Sequence, residues 1–420
     1  MDEGRFAVLR GKLMERLEKY REIQDEEIYR HIDELILEND TGYHIRLADR
    51  TVLRRELFNS VRRLDILQEL VDDNSVTEIM INGTDGIFIE RDGRLKRWDR
   101  QFASVTKLED IVQQIVARCN RIVNESVPIV DARLENGARV NIVMPPVALN
   151  GPVITIRRFP DHPIRIEQLV RWGAVSQEVV DFLQKLVKSG YNIFISGGTG
   201  SGKTTFLNAL SSFIPADERI ITIEDNAELQ IQDIANLVRM EARNANASGE
   251  LAITIRDLIK SSLRMRPDRI LIGEVRGSEV IDLLQALNTG HDGSISTGHA
   301  NSPVDMLARL ETMVLMGMEI SLPAIRRQIA SGIDLIVHLG RLRDKSRKVL
   351  EIIEILGYDS LSGEIETETL YEFEEEGTDE QGNILGCLRK RSDLKATQKL
   401  KRAGYDVSES ENDRSGYQNE

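Results

Sequence analysis

At Ile193-Phe194-Ile195-Ser196-Gly197-Gly198-Thr199-Gly200-Ser201-Gly202-Lys203-Thr204-Thr205 an apolar strand runs into a glycine-rich turn. A helix carrying Phe206, Leu207 and Leu210 follows. Residues Gly197 to Thr204 satisfy G-x-x-x-x-G-K-[ST] in full, between the strand and the helix that the motif requires. Glycines let a backbone fold around phosphates with its N–H groups turned inward, at the positive end of the next helix. Lys203 would neutralise the β- and γ-phosphates, Thr204 would offer its hydroxyl to Mg2+, and Thr205 ends the nucleotide-binding run. A phosphate loop alone does not separate a kinase, a GTPase and a motor. The chain has no Asn-Lys-x-Asp guanine-reading element, which favours ATP.

Downstream, the pattern alternates: helix 176–189, strand 191–196, helix 202–212, strand 219–223, helix 251–265, strand 269–273, helix 279–288. This predicts an α/β fold, a mostly parallel sheet flanked by helices. Such sheets place ligands at the carboxyl ends of their strands. Ile221-Thr222-Ile223-Glu224-Asp225 puts Glu224 at such an end, 21 residues past Lys203, with Glu228 close behind. A carboxylate there can hold Mg2+ or orient a water, and surface acids at strand ends are equally common. Arg269-Ile270-Leu271-Ile272-Gly273 ends in Glu274, placed to polarise water or bind the metal, whereas Asp268 precedes the run and faces the wrong end. Glu279, a turn later, is a secondary candidate. Finally, His291 and His299 bracket the small-residue strand Ser294-Ile295-Ser296-Thr297. At its carboxyl end, the His299 imidazole can sense a γ-phosphate or shuttle a proton. A lone histidine is more often structural, and no third ligand at suitable spacing supports metal binding by the pair.

Upstream, Phe159-Pro160-Asp161-His162-Pro163 marks a domain boundary. Between 73 and 160, strands at 76–81 and 87–89 surround Asn-Gly and Asp-Gly turn signals. A helix spans 106–121, Arg133 to Val143 reads as a hairpin, and 153–157 closes an α+β domain. Residues 1–72 read as a solvated helical extension packing on that domain, with Ile28, Ile32, Leu35 and Ile36 at helical spacing. Residues 161–360 form the phosphate-binding domain. Over 361–420 the charge switches. Nine acidic and no basic residues from Glu364 to Glu380 give way to seven basic and one acidic from Arg389 to Arg402, which reads as an exposed hairpin and tail.

The 420 residues carry 55 Lys and Arg against 69 Asp and Glu, a formal net charge of −14. That balance speaks against a free-standing DNA or RNA binder, whose footprint is basic. Cys119 and Cys387, in neither redox nor zinc spacing, are expected as unpaired thiols in a reducing cytosol. No run approaches the roughly 18 apolar residues of a membrane span, and the charged Met-Asp-Glu-Gly-Arg-Phe start lacks the apolar core of a secretory signal. A soluble protein with at most a peripheral membrane role is expected.

Four motifs occur in one order: the phosphate loop, Glu224-Asp225-x-x-Glu228, Gly273-Glu274-Val275-Arg276-Gly277, and Gly290-His291-x-Gly293-Ser294-x-x-Thr297-x-His299-Ala300-Asn301. Together they resemble the Walker A, Asp box, Walker B and His box of the secretion and pilus-assembly traffic ATPases, type II and type IV secretion ATPases among them. The likeness covers residues 70–360. Arg266 to Gly277 and Asp131-Ala132-Arg133-Leu134 make it most similar to the CpaF-like, tight-adherence (Flp) pilus subgroup. The resemblance implies a RecA-like P-loop motor domain after a smaller α+β domain, with ATP and Mg2+ as ligands, and Glu274 where a Walker B aspartate is otherwise usual. It also implies a homo-hexamer with ATP bound between the two domains, and N-domain arginines that stabilise charge on the transferring phosphoryl group. Arg133, Arg139, Arg157 and Arg158 are candidates, Arg139 and Arg157 first, although hairpin arginines are as often surface or salt-bridged residues. The catalytic set is then Glu274, Glu224, His299, Arg139 and Arg157, with Thr204 and Glu274 at the metal. By the same resemblance the protein is a cytoplasmic motor, peripheral on the membrane, that drives an integral-membrane platform protein and contacts no nucleic acid directly. A DNA-translocating conjugation motor and a non-hydrolysing ATP-binding scaffold are the alternatives. The acidic charge speaks against the first, and the presence of Lys203, Thr204, Glu274 and His299 against the second.

Overall fold

The computed structural model describes residues 3–20, 23–39, 47–91, 93–119, 121–158, 163–243 and 252–406. It divides into two compact units, Met1–Asp161 and His162–Glu420. Most of the proline-marked boundary, residues 159–162, lies outside the described residues.

In the first unit, α1 (Glu3–Leu17), α2 (Asp25–Glu38) and α3 (Leu47–Arg62) close a core of their own around Leu13, Ile32, Leu35, Leu57 and Phe58. The Tyr29 and Phe58 rings stack 4.1 Å apart within it. The N-terminal region is therefore a three-helix bundle rather than only an extension lying on a neighbour. Its apolar stripes face one another, and each large aliphatic side chain so buried contributes about 1.5–3 kcal/mol. Next come α4 (Leu67–Asp72), β1 (Val76–Asn82), β2 (Ile87–Arg91), β3 (Arg94–Arg97), α5 (Val105–Arg118), β4 (Ile129–Arg133), β5 (Arg139–Val143) and β6 (Val153–Arg157). The six strands form an antiparallel sheet in the order β3-β2-β1-β6-β5-β4. Period-two alternation sends Ile79, Ile81, Val140, Ile142, Ile154 and Ile156 into the core with α5. On the other face, Arg133, Arg139 and Arg157 stand directly opposite one another across β4, β5 and β6, and Glu78 on β1 continues the row.

The second unit opens with α6 (Ile166–Arg171) and α7 (Gln177–Lys188). Ser176 caps α7 by accepting from Val179 N, and Val179, Val180, Leu183, Leu186 and Val187 form its buried stripe. Strand and helix then alternate through β7 (Ile193–Gly197), α8 (Lys203–Ser211), β8 (Ile220–Glu224), β9 (Leu237–Glu241), α9 (Ile255–Ser262), β10 (Arg269–Ile272), α10 (Val280–Leu287), β11 (Ile295–Gly298), α11 (Pro303–Leu315) and α12 (Leu322–Gly332). The unit ends in β12 (Leu335–Arg341), β13 (Arg347–Tyr358), β14 (Ile365–Thr378), β15 (Ile384–Lys390) and α13 (Gln398–Arg402). All nine strands share one sheet, β15-β14-β13-β12-β7-β11-β10-β8-β9. Pairings from β12 through β9 are parallel. Helices cover both faces of this part, so Ile193 and Ile195 of β7 enter one core and Phe194 the other.

From β12 to β15 the sheet continues as an antiparallel meander. The acidic and basic runs near the end are its last hairpin, with Glu374 paired to both Arg389 and Arg391, Glu376 to Arg389 and Glu372 to Arg391. From β15 to Asp406 the chain is tied down, and the rest of the expected tail, residues 407–420, lies outside the described residues. Glu354, 1% exposed, accepts from Lys395 N at 2.9 Å and Ala396 N at 2.6 Å. Tyr191 Oη donates to Ala396 O at 2.6 Å. Lys399 Nζ reaches Gly190 O (3.1 Å), Asp292 (2.8 Å) and Asp334 (2.7 Å). This strap crosses the amino ends of β7, β11 and β12.

Candidate nucleotide site

Because β7, β8, β10 and β11 run parallel, Gly197, Glu224, Glu274 and His299 emerge at the same, carboxyl edge of the sheet. Gly197 has φ 153°, and a Cβ there would run into the Leu339 carbonyl and come within 2.7 Å of Ser201 Oγ. Gly202, at φ 95°, opens α8 with no side-chain cap, whereas Ser176 and Ser302 cap α7 and α11. The N-cap residue of α8 thus offers no side-chain acceptor to the first turn, at the positive end of the helix. The Lys203 ammonium donates to the carbonyls of Gly197 (3.1 Å) and Gly198 (3.0 Å) and lies 3.3 Å from His299 Nδ1. Arg347 Nε, 147 residues away in sequence, donates to Gly200 O at 2.8 Å.

Two bonds from β11, Val275 N to Thr297 O (2.9 Å) and Thr297 Oγ1 to Gly273 O (2.6 Å), fix the segment carrying Glu274. Glu274 Oε2 accepts from Arg276 Nη2 at 2.9 Å. Its Oε1 lies 2.9 Å from His299 Nε2, yet the approach is not aligned as a hydrogen bond, and this buried oxygen has no donor among the described residues. Burial alone would raise the Glu274 carboxyl. The hydrogen bond and charge of Arg276, with His299 and Lys203, outweigh it and hold the group below the usual glutamate range, ionised at neutral pH. Burial lowers His299 below the ordinary imidazole range, and the charges of Lys203, Arg276 and Arg309 add to this against the pull of Glu274. The neutral ring faces the Lys203 ammonium with Nδ1, so Nδ1 accepts and Nε2 carries the proton, off the line to Glu274 Oε1.

Glu224 is only 2% exposed. Its Oε1 accepts from the N–H groups of Glu228 and Leu229, both at 2.7 Å, which braces the turn after β8. Burial pushes its carboxyl up to about 7, against these two bonds and the charge of Arg239. Glu279 Oε1 accepts from Arg276 N (2.7 Å) and Gly277 N (2.9 Å) and so shapes the turn behind Glu274. His291 sits at the opposite, amino end of β11, with Nδ1 2.9 Å from Ala286 O. Arg139 and Arg157 lie in the other unit. Arg157 is beside Glu78, whose carboxyl burial raises and Arg157 lowers. Arg158 is bonded to the Asp73 carbonyl and, at 2.8 Å, to Asn74 Oδ1.

Three residues were not picked out from the sequence. Arg276 stands two places past Glu274, inside a motif already recognised. Ser196 and His338 form a buried pair, Oγ to Nδ1 2.8 Å, and the Asn301 main chain also bonds this imidazole, which burial lowers. The signal for it was a lone histidine in the apolar run Leu335 to Leu339. A cavity of about 460 Å³ opens beside Gly198, Thr199 and His299, with Asn301, Asp305, Arg309 and Thr312 on its walls.

The tight glycine turn, the α8 N-terminus without a side-chain cap, and the unpartnered buried oxygens of Ser201 and Glu274 fit the phosphates of a nucleotide and a divalent cation. Fold and site together define a RecA-like, nucleotide-binding α/β domain.

The chain belongs to the type II/IV secretion system protein family, whose model matches residues 61–399. A putative conjugal transfer protein of Mycobacterium tuberculosis is 32% identical over 352 residues, which is 82% of this chain and 97% of that protein. The conjugal transfer protein TrbB of Rhizobium radiobacter is 34% identical over 298 residues, 70% of this chain and 88% of that one. The solved structure of the ATPase DotB from Yersinia pseudotuberculosis shares the fold, with TM-score 0.51 at 18% identity over 71% of this chain and 79% of that one.

Proposed function

We propose that the chain hydrolyses ATP to power a secretion or pilus-assembly machine. Lys203, His299 and Glu274 in one run of contacts carry this reading. Magnesium-ATP, when bound, supplies the γ-phosphoryl group and a cation that spreads its charge. Lys203 exchanges its two loop carbonyls for phosphate oxygens, and Thr204 and Glu274 are the residues to hold the cation. Glu274, ionised and with Oε1 lacking a donor, is the group to accept a proton from the attacking water, and neutral His299 orients it. Glu224, clamped by two amides, acts by positioning the neighbouring turn. Arg139 and Arg157 enter on the family resemblance, supported by their register. The two stand directly opposite each other on neighbouring strands.

The same resemblance carries the finer parts of the proposal: a homo-hexamer of the CpaF-like kind, on the cytoplasmic face of the membrane and engaged with an integral-membrane platform protein. Among the described residues no helix is long and apolar enough to cross a membrane. A second reading, a motor for a conjugation-type machine, is favoured by the names of the Mycobacterium and Rhizobium relatives. Steady-state ATP hydrolysis by the purified chain and its Lys203→Ala variant tests the first claim. Turnover that survives in the variant at the wild-type rate rejects the site. Added DNA separates the two machines, since stimulation of turnover favours the second.

A further inference from the structure

The cavity beside the phosphate loop has one wall in the nucleotide site and another on α11. Gly198, Thr199 and His299 form the first, Arg309 and Thr312 belong to the second, and Asn301 lines the cavity from the turn that leads into α11. Arg309 makes no hydrogen bond or ion pair with any described residue, although Asp305 lines the same cavity one turn earlier on the helix. Its charge nevertheless reaches His299. The apolar part of the lining comes from small side chains, Ala300 and Ala308, so no flat apolar wall is present to hold a base or an acyl chain. A guanidinium in a polar cavity of this kind suits a small oxyanion, which it can grip through two parallel N–H groups.

We propose that the cavity is a holding site for inorganic phosphate leaving the nucleotide site, with Arg309 as its main ligand and Asn301 and Thr312 as polar neighbours. The proposal rests on the ATP-hydrolysing reading, because hydrolysis produces phosphate next to Gly198 and Thr199. Hydrolysis splits ATP and water into ADP, phosphate and a proton, and while both products stay in contact the step can reverse. A cation one cavity-width away draws the phosphate off ADP without leaving it free in solvent. His299 borders both places, 2.9 Å from Glu274 and in the cavity wall.

The test is titration of inorganic phosphate into the magnesium-ADP complex of the full chain, followed by calorimetry, for the wild type, Arg309→Ala and Arg309→Lys. The wild-type complex is expected to bind phosphate. Arg309→Ala should weaken that binding about tenfold or more, as loss of a charge-assisted hydrogen bond does, and Arg309→Lys should fall between. ADP affinity should be the same in all three, which also reports that each variant is folded; if Arg309→Ala is not, the lysine variant carries the comparison. Equal phosphate affinity in wild type and variant, or no phosphate binding by the wild-type ADP complex, overturns the proposal. So does a variant whose oligomeric state changes while its phosphate binding does not, because the cavity would then receive an acidic side chain of another chain. The ATP-hydrolysing reading fails separately, by absence of wild-type turnover, and the phosphate titration does not depend on that measurement.

Discussion

Glu274 Oε1 lies 2.9 Å from His299 Nε2, and no aligned donor reaches that oxygen. An ionised carboxylate with one free lone-pair direction is what a water needs when it loses a proton. Glu274→Gln keeps the size of the side chain and removes the charge. It should lower kcat by about 10²–10³, the range for loss of a general base, and weaken magnesium-ADP binding far less, because the amide oxygen can still ligate the cation. A stopped assay for kcat with a separate ADP titration checks both halves. A large loss of ADP affinity at normal kcat would assign Glu274 to binding alone.

Glu224 makes a prediction about pH. Its carboxyl, 4.5 when unperturbed, is pushed up to about 7 by burial. Between these values the folded chain holds the proton more tightly than the unfolded chain, so stability falls as pH rises. The contribution is complete below about 4.5 and lost through about 7, at most about 3 kcal/mol. Glu224→Gln can still accept from the Glu228 and Leu229 amides but does not titrate. Urea midpoints at about pH 5 and pH 8 should therefore differ less in the variant than in the wild type. An equal difference would place the titration elsewhere.

Gly197 sets the close approach between the phosphate loop and β12. Its φ of 153° and the Leu339 carbonyl leave no room for a methyl group. Gly197→Ala should destabilise the second unit by about 2–4 kcal/mol and abolish ADP binding. Equilibrium unfolding and ADP calorimetry measure the two effects independently.

The parts of the site that depend on local sequence were readable, because a phosphate cradle needs consecutive glycines and an acid one residue past a buried strand. Gly197 to Thr204, Glu274 and His299 all sit where their neighbours in sequence put them. Contacts across the sheet carried no such mark. Ser196 meets His338 from 142 residues away and Arg347 meets Gly200 from 147, and both follow only from β12 pairing beside β7. The N-terminal helices had the right period, but a stripe such as Ile28, Ile32 and Leu35 does not say which surface it faces. On β14, Glu366, Thr367, Glu368 and Thr369 lie in the stretch that the charge switch marks as a hairpin, but its bounds and its pairing with β13 were not legible, since this hairpin buries little and bulges against β13 break the period of two.

Lys399 carries the last prediction. Its ammonium donates to Gly190 O, Asp292 and Asp334, and Asp334 also accepts from Asn192 N at 2.7 Å. Burial raises the Asp334 carboxyl and Lys399 opposes it, so the lysine offsets part of the cost of enclosing this carboxylate. Lys399→Ala leaves Asp334 without its cation and releases the strap that covers the amino ends of β7, β11 and β12. The loss should be about 1–3 kcal/mol, less than for a fully enclosed pair because the side chains of Lys399 and Asp334 are 22% and 25% exposed. Adding Asp334→Asn to Lys399→Ala should restore part of it, because the two residues share one interaction. ADP affinity should not change in either variant, since the strap and the phosphate loop lie at opposite ends of β7. Denaturant midpoints for the two variants measure the coupling. If Lys399→Ala unfolds at the wild-type midpoint, the strap lies on the domain without holding it together.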